Sequence, residues 1–382
     1  MIKTCKFSEC VVSYRNGFGR RPEGGETGPI ILRIADVSSG EIDLSKPRRG
    51  YISPEEAETY RLIPSNLLFV RVNGSREIVG RCCVVDLTLP KSTIFNDHLI
   101  RVQLKAGLDA DFAKLCMELP ATRSTIEESA STSAGQLTIN QNLLDSIDIP
   151  DLPYNRQREV VLHVKFQLDA LKEARKAATC QIEEIYNLSN AVIRETLEIS
   201  TSESHSLNNV LHEVKQGVGA HWADYPVLGA TRDGLAPAKE PVGKNPERYK
   251  PVQVGTVFYN PMRILIGSIA MVDEDDAPGI TSPDYVALRG REGVLDSRWF
   301  YYWLRSPDGE RCIASLARGA VRERMLFNRL AEGEIMLPPY AVQVAASRAL
   351  AEIRPMKKQI EAQLREIELL PSRLLAQAFE EI

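Results

Sequence analysis

Residues 157–197 read QREVVLHVKFQLDALKEARKAATCQIEEIYNLSNAVIRETL, and residues 343–379 read QVAASRALAEIRPMKKQIEAQLREIELLPSRLLAQAF. In the first stretch Val164, Leu168, Leu171, Ala178, Ile182, Ile185 and Val192 recur at threes, fours and sevens; in the second Ile353, Ile360, Leu364, Ile367, Leu370 and Leu374 do the same. That period is the apolar seam of a helix that packs along another helix. At 1.5 Å per residue a 40-residue helix is roughly 60 Å long, too long to fold back into one small core, so the expected partner of each stretch is the other. Both are preceded by a Leu-Pro signal, Leu152-Pro153-Tyr154 and Leu337-Pro338-Pro339-Tyr340, and Gln181 to Ile185 (QIEEI) answers Gln363 to Ile367 (QLREI). The two stretches read as copies.

The segments before each copy repeat as well. Residues 7–150 read mostly as strands and loops: strands at Ile30 to Ile34, Asn66 to Arg71, Ile78 to Val85 and Asp97 to Val102, a tight Asn73-Gly74-Ser75 turn, a helix at Asp109 to Glu118 and a Ser/Thr-rich loop at Ser129 to Gly135. After a linker-like tract from Ile199 to His205, the same order returns. Val257 to Asn260 answers Leu68 to Arg71, Ile264 to Val272 answers Ile78 to Val85, Asp284-Tyr285-Val286 answers Asp97-His98-Leu99, and Trp299 to Leu304 supplies the helix. The offset stays between about 182 and 189 residues throughout. The expected order is domain, long helix, domain, long helix.

Composition fits a folded chain: 382 residues, 43% hydrophobic, 47 Lys and Arg against 51 Asp and Glu. Bulk charge does not announce a nucleic-acid binder, although residues 1–105 carry about four more Lys and Arg than Asp and Glu. Seven cysteines occur without a C-x-x-C pair, and the adjacent Cys82 and Cys83 fall on opposite faces of a strand, so neither a zinc site nor a disulfide framework is indicated. The start shows no apolar signal segment and no run approaches 18 apolar residues, which points to an intracellular protein without a membrane role.

Catalytic signatures are missing. Leu337-Pro338-Pro339-Tyr340 has Leu where the amino-methyltransferase signature has the Asn that holds the target amino group, and no glycine-rich cofactor loop accompanies it, so it reads as a turn into a helix. There is no G-x-x-x-x-G-K-[ST] phosphate loop. His98 has no nucleophile or metal partner at useful spacing and its counterpart is Tyr285, so both read as core or interface residues. What remains is two similar, divergent units and a helical spacer, an arrangement suited to gripping two places on an extended ligand. DNA, with its helical turn of about 34 to 36 Å, makes a fixed spacing meaningful.

In this order and in duplicate, several motifs resemble the specificity subunits of type I restriction-modification systems. They are NLLFVRVNGSREIVG (66–80), NDHLIRV (96–102) and SAGQLTIN (133–140) before IDIPDLP, then GTVFYNPMR (255–263) and LLPSRLLAQAFE (369–380). The resemblance implies an α+β fold with two mixed α/β target recognition domains, separated by two long helices that form an intramolecular antiparallel coiled coil. Domain 1 would cover residues 1–152, the first spacer 153–200, domain 2 201–338 and the second spacer 339–382. Each domain would read one half of an asymmetric bipartite site on double-stranded DNA. Two methyltransferase subunits would dock on the helices, with restriction and translocase subunits joining them. This chain would perform no chemistry and bind no cofactor; S-adenosylmethionine would sit on the methyltransferase, ATP and magnesium on the restriction subunit. The assembled complex would be a DNA adenine methyltransferase and site-specific endonuclease serving phage defence in a bacterial or archaeal cytoplasm. Two alternatives stand beside it: a related methylation-based defence system without type I cleavage, and a coiled-coil scaffold with protein-binding ends.

Readout needs side chains that donate or accept in pairs, and phosphates need cations and hydroxyls. In the first domain the candidates are Arg20, Arg21, Arg71, Asn73, Ser75, Arg76, Ser133 and Gln136; in the second, Arg232, Lys244, Arg248, Lys250, Asn260, Arg263, Arg318 and Arg322. The second domain departs from the first at Asn260-Pro261-Met262-Arg263, where the proline replaces the Asn-Gly-Ser turn. Outside the seam, residues such as Arg175, Glu183, Lys358 and Glu366 give the helices a mixed-charge face.

Overall fold

The computed structural model describes residues 3–20, 23–24, 28–133, 135–199, 201–317 and 324–381. The chain folds as two compact units: Met1–Lys176 with Arg365–Ile382, and Ala177–Leu364. Each unit therefore contains part of both long helices, which run Tyr154–Ile199 and Tyr340–Glu380. The second helix continues through Pro355 and Pro371, each of which lacks the N–H for one helical bond.

Unit 1 is built on a four-stranded antiparallel sheet in the order Val11–Asn16, Leu99–Leu104, Leu67–Val70, Cys82–Val84. Alternate residues of the central strand serve two cores, as strand geometry requires. Leu67 and Phe69 face the helix Ala110–Glu118, with Phe112 and Cys116, while Leu68 and Val70 pack with Leu32, Val85 and Phe95 on the other side. Cys82 and Cys83 divide between the same two cores, as their alternation predicts.

Unit 2 repeats this plan. Its sheet runs Leu211–Glu213, Val286–Gly290, Val257–Tyr259, Ile269–Met271, all antiparallel. Val257 and Tyr259 face Trp299 and Phe300 of the helix Ser297–Leu304, and Phe258 lies opposite with Ala270 and Val272. A short two-stranded ribbon closes each unit beside the start of a long helix, Thr4–Lys6 with Asp148–Pro150 and Glu203–Ser206 with Glu334–Leu337.

The long helices are antiparallel. In unit 1, Val161 and Val164 from early in the first helix share a core with Leu375 and Phe379 from late in the second, and Phe379 stacks on Phe112 with centroids 5.5 Å apart. In unit 2, Ile185 and Ile193 from late in the first helix pack with Ala346, Leu350 and Ile353 from early in the second. Val164, Ala178, Ile185 and Ile353 are buried, and the other seam residues, Leu168, Leu171, Ile182, Val192, Ile360, Leu364, Ile367, Leu370 and Leu374, are half-buried. A two-helix seam leaves its edges open to water, which accounts for the partial burial.

One buried side chain in each unit joins domain to helix in the same way. The Gln157 Oε1 accepts the Asp109 N–H at 2.8 Å, and its Nε2 donates to the carbonyls of Gly107 at 2.9 Å and Leu152 at 2.8 Å. Gln343 does likewise with the Asp296 N–H at 2.9 Å and the carbonyls of Val294 at 3.1 Å and Pro338 at 2.9 Å. Asp109 and Asp296 are in turn the N-caps of the helices that follow, accepting from Phe112 N at 3.1 Å and Trp299 N at 2.9 Å. Unit 2 adds a charged network in which Asp273 pairs with Arg298 and Arg354, and Asp276 with Arg354 and Lys358.

Several local expectations are corrected. The strand expected at Ile30 to Ile34 stops at Leu32, and Ile34–Asp36 turns as a short 3-10 helix because the Asp36 carboxylate accepts the Arg33 N–H. The Ile78 to Val85 strand shrinks to Cys82–Val84, and its counterpart to Ile269–Met271 after a 3-10 turn at Ile264–Ile266. Asn73-Gly74-Ser75 is not a hairpin turn between the two sheet strands: Val72–Asn73 leaves the sheet and pairs with Gln136–Thr138, which pairs with Ser131–Ser133. Within the Ser/Thr-rich stretch expected as a loop, Ser131–Ser133 is thus a strand, and an unexpected helix, Pro120–Ser129, runs up to it. The tract from Ile199 to His205 ends in a strand, because Glu203–Ser206 finds a partner 130 residues away in Glu334–Leu337.

Gln343→Ala strands one buried N–H and two carbonyls, and is expected to cost about 2–4 kcal/mol in denaturant unfolding; a loss below about 0.5 kcal/mol, the level of an ordinary surface change, would show that the clamp carries no weight. Burial opposes the charge of Asp273, yet the hydrogen bonds from Arg298 and the Glu274 N–H, with the nearby Arg354, hold its carboxyl below the usual 3.8. A depressed pKa gives stability that is present above the ordinary carboxylate value and lost as pH falls through the folded one, so thermal stability should drop more steeply below about pH 4 in the wild type than in Asp273→Asn.

Candidate nucleic-acid interface

In unit 1 the candidates gather around the ribbon and the cleft beside it. The register sets Asn73 opposite Leu137, and exposed Gln136 opposite Ser133, placing both carboxamides on one short ribbon. The Asn73 Oδ1 accepts the Ser75 N–H at 2.8 Å, so its amide nitrogen carries the remaining donors. Arg71 connects this ribbon to the cleft: its N–H donates to His98 O and its Nε to Asp97 O, both at 2.8 Å, while its own carbonyl accepts from Ile139 N at 3.0 Å. Arg76 is exposed at the loop tip.

The cleft is lined by Arg20, Arg33, Arg48, Asn96 and His98 among others. Arg20 pairs with Glu56 and lies over the Phe18 ring at 5.6 Å, which positions its guanidinium at the rim. Arg33 is tied to Asp36 by two hydrogen bonds of 2.9 and 3.1 Å, and the Asp36 bond raises its pKa further. His98 is exposed on this cleft, which removes the core half of its reading as a core or interface residue; it precedes the strand Leu99–Leu104, in the turn that leads into it. Tyr285 does go inward, packing against Phe258 with centroids 6.2 Å apart. Arg21 lies outside the described residues, as does the side chain of Ser133.

In unit 2, Arg232, Lys244, Arg248 and Arg263 are exposed. Lys250 faces inward: its ammonium donates to Tyr285 O at 2.6 Å and sits 3.8 Å from Glu213, with only 12% of the side chain exposed. Burial lowers its pKa, opposed by Glu213. Asn260 uses its Oδ1 to accept the Met262 N–H at 2.9 Å. Arg318 and Arg322 lie outside the described residues. Sequence reading missed Arg305, whose guanidinium donates to the carbonyls of Gly267 at 3.3 Å, Ile269 at 2.9 Å and Arg232 at 2.6 Å and so shapes the loop carrying Arg263. An arginine that serves backbone carbonyls leaves no motif. Arg33, Arg48 and His98 were missed as a group because they meet only in the fold.

Among the described residues no three His, Cys, Asp or Glu side chains are arranged to hold a metal, and no helix is long and apolar enough to cross a membrane.

No family model matches the chain. In sequence it is 25% identical over 193 residues to the type I restriction enzyme EcoKI specificity subunit of Escherichia coli (strain K12), covering 50% of this chain and 42% of that protein. It is 29% identical over 156 residues to the type I restriction enzyme StySPI specificity subunit of Salmonella potsdam, covering 41% and 34%. The match thus spans less than half the length of either relative. In fold, a chain from structural work on complex assembly and conformational transition of the type I R-M system aligns over 99% of this chain and 97% of its own, with a TM-score of 0.66 at 15% identity. The HsdS subunit from Thermoanaerobacter tengcongensis aligns over 99% and 96% with a TM-score of 0.51 at 16% identity, and the type I S subunit from M. genitalium over 98% and 95% with 0.50 at 13%. The chain thus has the fold of the type I restriction-modification specificity subunits, and along about half of its length it shares sequence likeness with them as well.

Proposed function

We propose that this chain is the DNA-specificity subunit of a type I restriction-modification complex, in which each unit reads one half of an asymmetric bipartite site and the paired helices set the gap. The observation that carries the reading is the duplication: one sheet-and-helix plan occurs twice, clamped to the long helices by Gln157 and by Gln343, while the exposed polar residues differ. In unit 1, Arg71, Asn73, Ser75, Arg76 and Gln136, with Arg20 at the cleft, offer the paired donors and acceptors that base edges and phosphates require. In unit 2 the same roles fall to Arg232, Lys244, Arg248, Asn260 and Arg263. Lys250 is left to its inward contacts.

The helices would dock two methyltransferase subunits. Leu162 and Phe166, one turn apart on the first helix and 61% and 77% exposed, support a partner on that face. S-adenosylmethionine would belong to that partner, and ATP with magnesium to a restriction subunit; the chain itself contributes recognition.

Mapping methylated adenines in cells with and without the gene should return an asymmetric bipartite motif with a fixed gap only when the gene is present. Exchanging residues 205–336 for the corresponding domain of another such subunit should change one half of that motif; an unchanged motif would sink the reading. Shortening both long helices by matched segments should alter the gap while leaving each half-site sequence as it was.

A further inference from the structure

The loop between the strands Val257–Tyr259 and Ile269–Met271 sends most of its apolar side chains outward. Ile264 is buried, but Met262, Leu265 and Ile266 are 50%, 59% and 66% exposed. The corresponding loop of unit 1 hides its apolar members: Val79 is buried and Ile78 half-buried, under Arg123, whose Nη2 donates to the carbonyls of Arg76 at 3.2 Å and Val79 at 2.9 Å. The two loops occupy the same place between equivalent strands and present opposite chemistry.

The unit 2 loop is held firmly from below. Arg305 binds the carbonyls of Gly267 and Ile269, the Ser268 N–H donates to Arg263 O at 3.1 Å, and the Ser268 Oγ donates to Ala230 O at 2.7 Å. Gly267 closes the turn at φ 82, in the left-handed region that glycine tolerates. Two adjacent branched aliphatics thus stand on a preorganised tip. Exposed Arg263 lies beside them in sequence, and the side chain of exposed Arg232 lies against Gly267.

Size and charge choose the occupant. A stable protein interface buries on the order of 1,200 Å² or more, far beyond what two side chains supply. A duplex is different: one or two Leu, Ile or Met side chains suffice to open a base step, with cations taking the adjoining phosphates. Resting on the DNA-reading function above, we propose that Leu265 and Ile266 form a wedge that enters a base step of the half-site read by unit 2, with Arg232 and Arg263 on the flanking phosphates. Part of that half-site's specificity then comes from the cost of unstacking, which is lowest at pyrimidine–purine steps.

The test uses the assembled methyltransferase complex with full-length wild-type chain, with L265S/I266S and with the conservative L265M/I266V. The probe is a duplex bearing the mapped bipartite motif, with a fluorescent purine analogue moved through the unit 2 half-site away from the methylated adenine. The wild type and L265M/I266V should raise the emission at one step. L265S/I266S should lose that signal and bind at least about tenfold more weakly, in the range of one mismatched base pair, with an unchanged melting temperature and unchanged dependence on the other half-site. A serine variant that keeps both signal and affinity overturns the wedge and leaves the specificity reading standing, as does a wild type that binds its motif without unstacking any step. A complex that yields no bipartite motif overturns both.

Discussion

A carboxamide buried at the start of each long helix is the constraint on which the arrangement of each unit depends. Gln157 and Gln343 each accept one domain N–H and donate to two carbonyls, one in the domain and one in the segment just before the helix. A buried amide must satisfy both ends at once, so its geometry has little freedom. It fixes the N-cap aspartate of the following helix, and that helix, through Phe112 or Trp299, carries the core on which the sheet rests. In each unit these three hydrogen bonds help set the orientation of the domain with respect to the long helix. Apolar packing alone would tolerate slippage here, since a seam of Ile, Leu and Val accepts small shifts.

The two units use that common frame differently. Unit 2 fastens its domain further with Asp273 and Asp276 against Arg298, Arg354 and Lys358, whereas the comparable pairs in unit 1 are Arg158 with Asp109 and Lys165 with Asp111. Their loops diverge more: carboxamides on a ribbon beside an arginine-lined cleft in one, an aliphatic tip between arginines in the other. On the proposed function, shared scaffolding with unlike loops is what divergent readout of two half-sites requires.

Long-range order was legible in the sequence because it is periodic. The heptad-like seam from Val164 to Val192 and its copy from Ile353 to Leu374 survives in the structure, and the repeat offset matches equivalent strands correctly. Strand partners were less legible. Nothing local in Ser131–Ser133 or Glu203–Ser206 announces a strand, because their pairing energy resides in segments far away in sequence. Direction was the third gap. Lys250 and His98 carry the right atoms, but only the fold turns Lys250 toward Tyr285 and Glu213 and leaves His98 exposed on the cleft. Arg21, Arg318 and Arg322 lie outside the described residues.

The division of the helices has a consequence for biosynthesis. Unit 2 is one continuous segment, Ala177–Leu364, but unit 1 needs Arg365–Ile382 as well as Met1–Lys176. Synthesis runs from the N-terminus, so Phe112 and Val164 remain without Leu375 and Phe379 until all of unit 2 has been made. Unit 1 therefore starts before unit 2 in the chain yet closes its core after it. A chain halted between residues 364 and 375 would hold every residue of the second unit and lack Leu375 and Phe379 of the first.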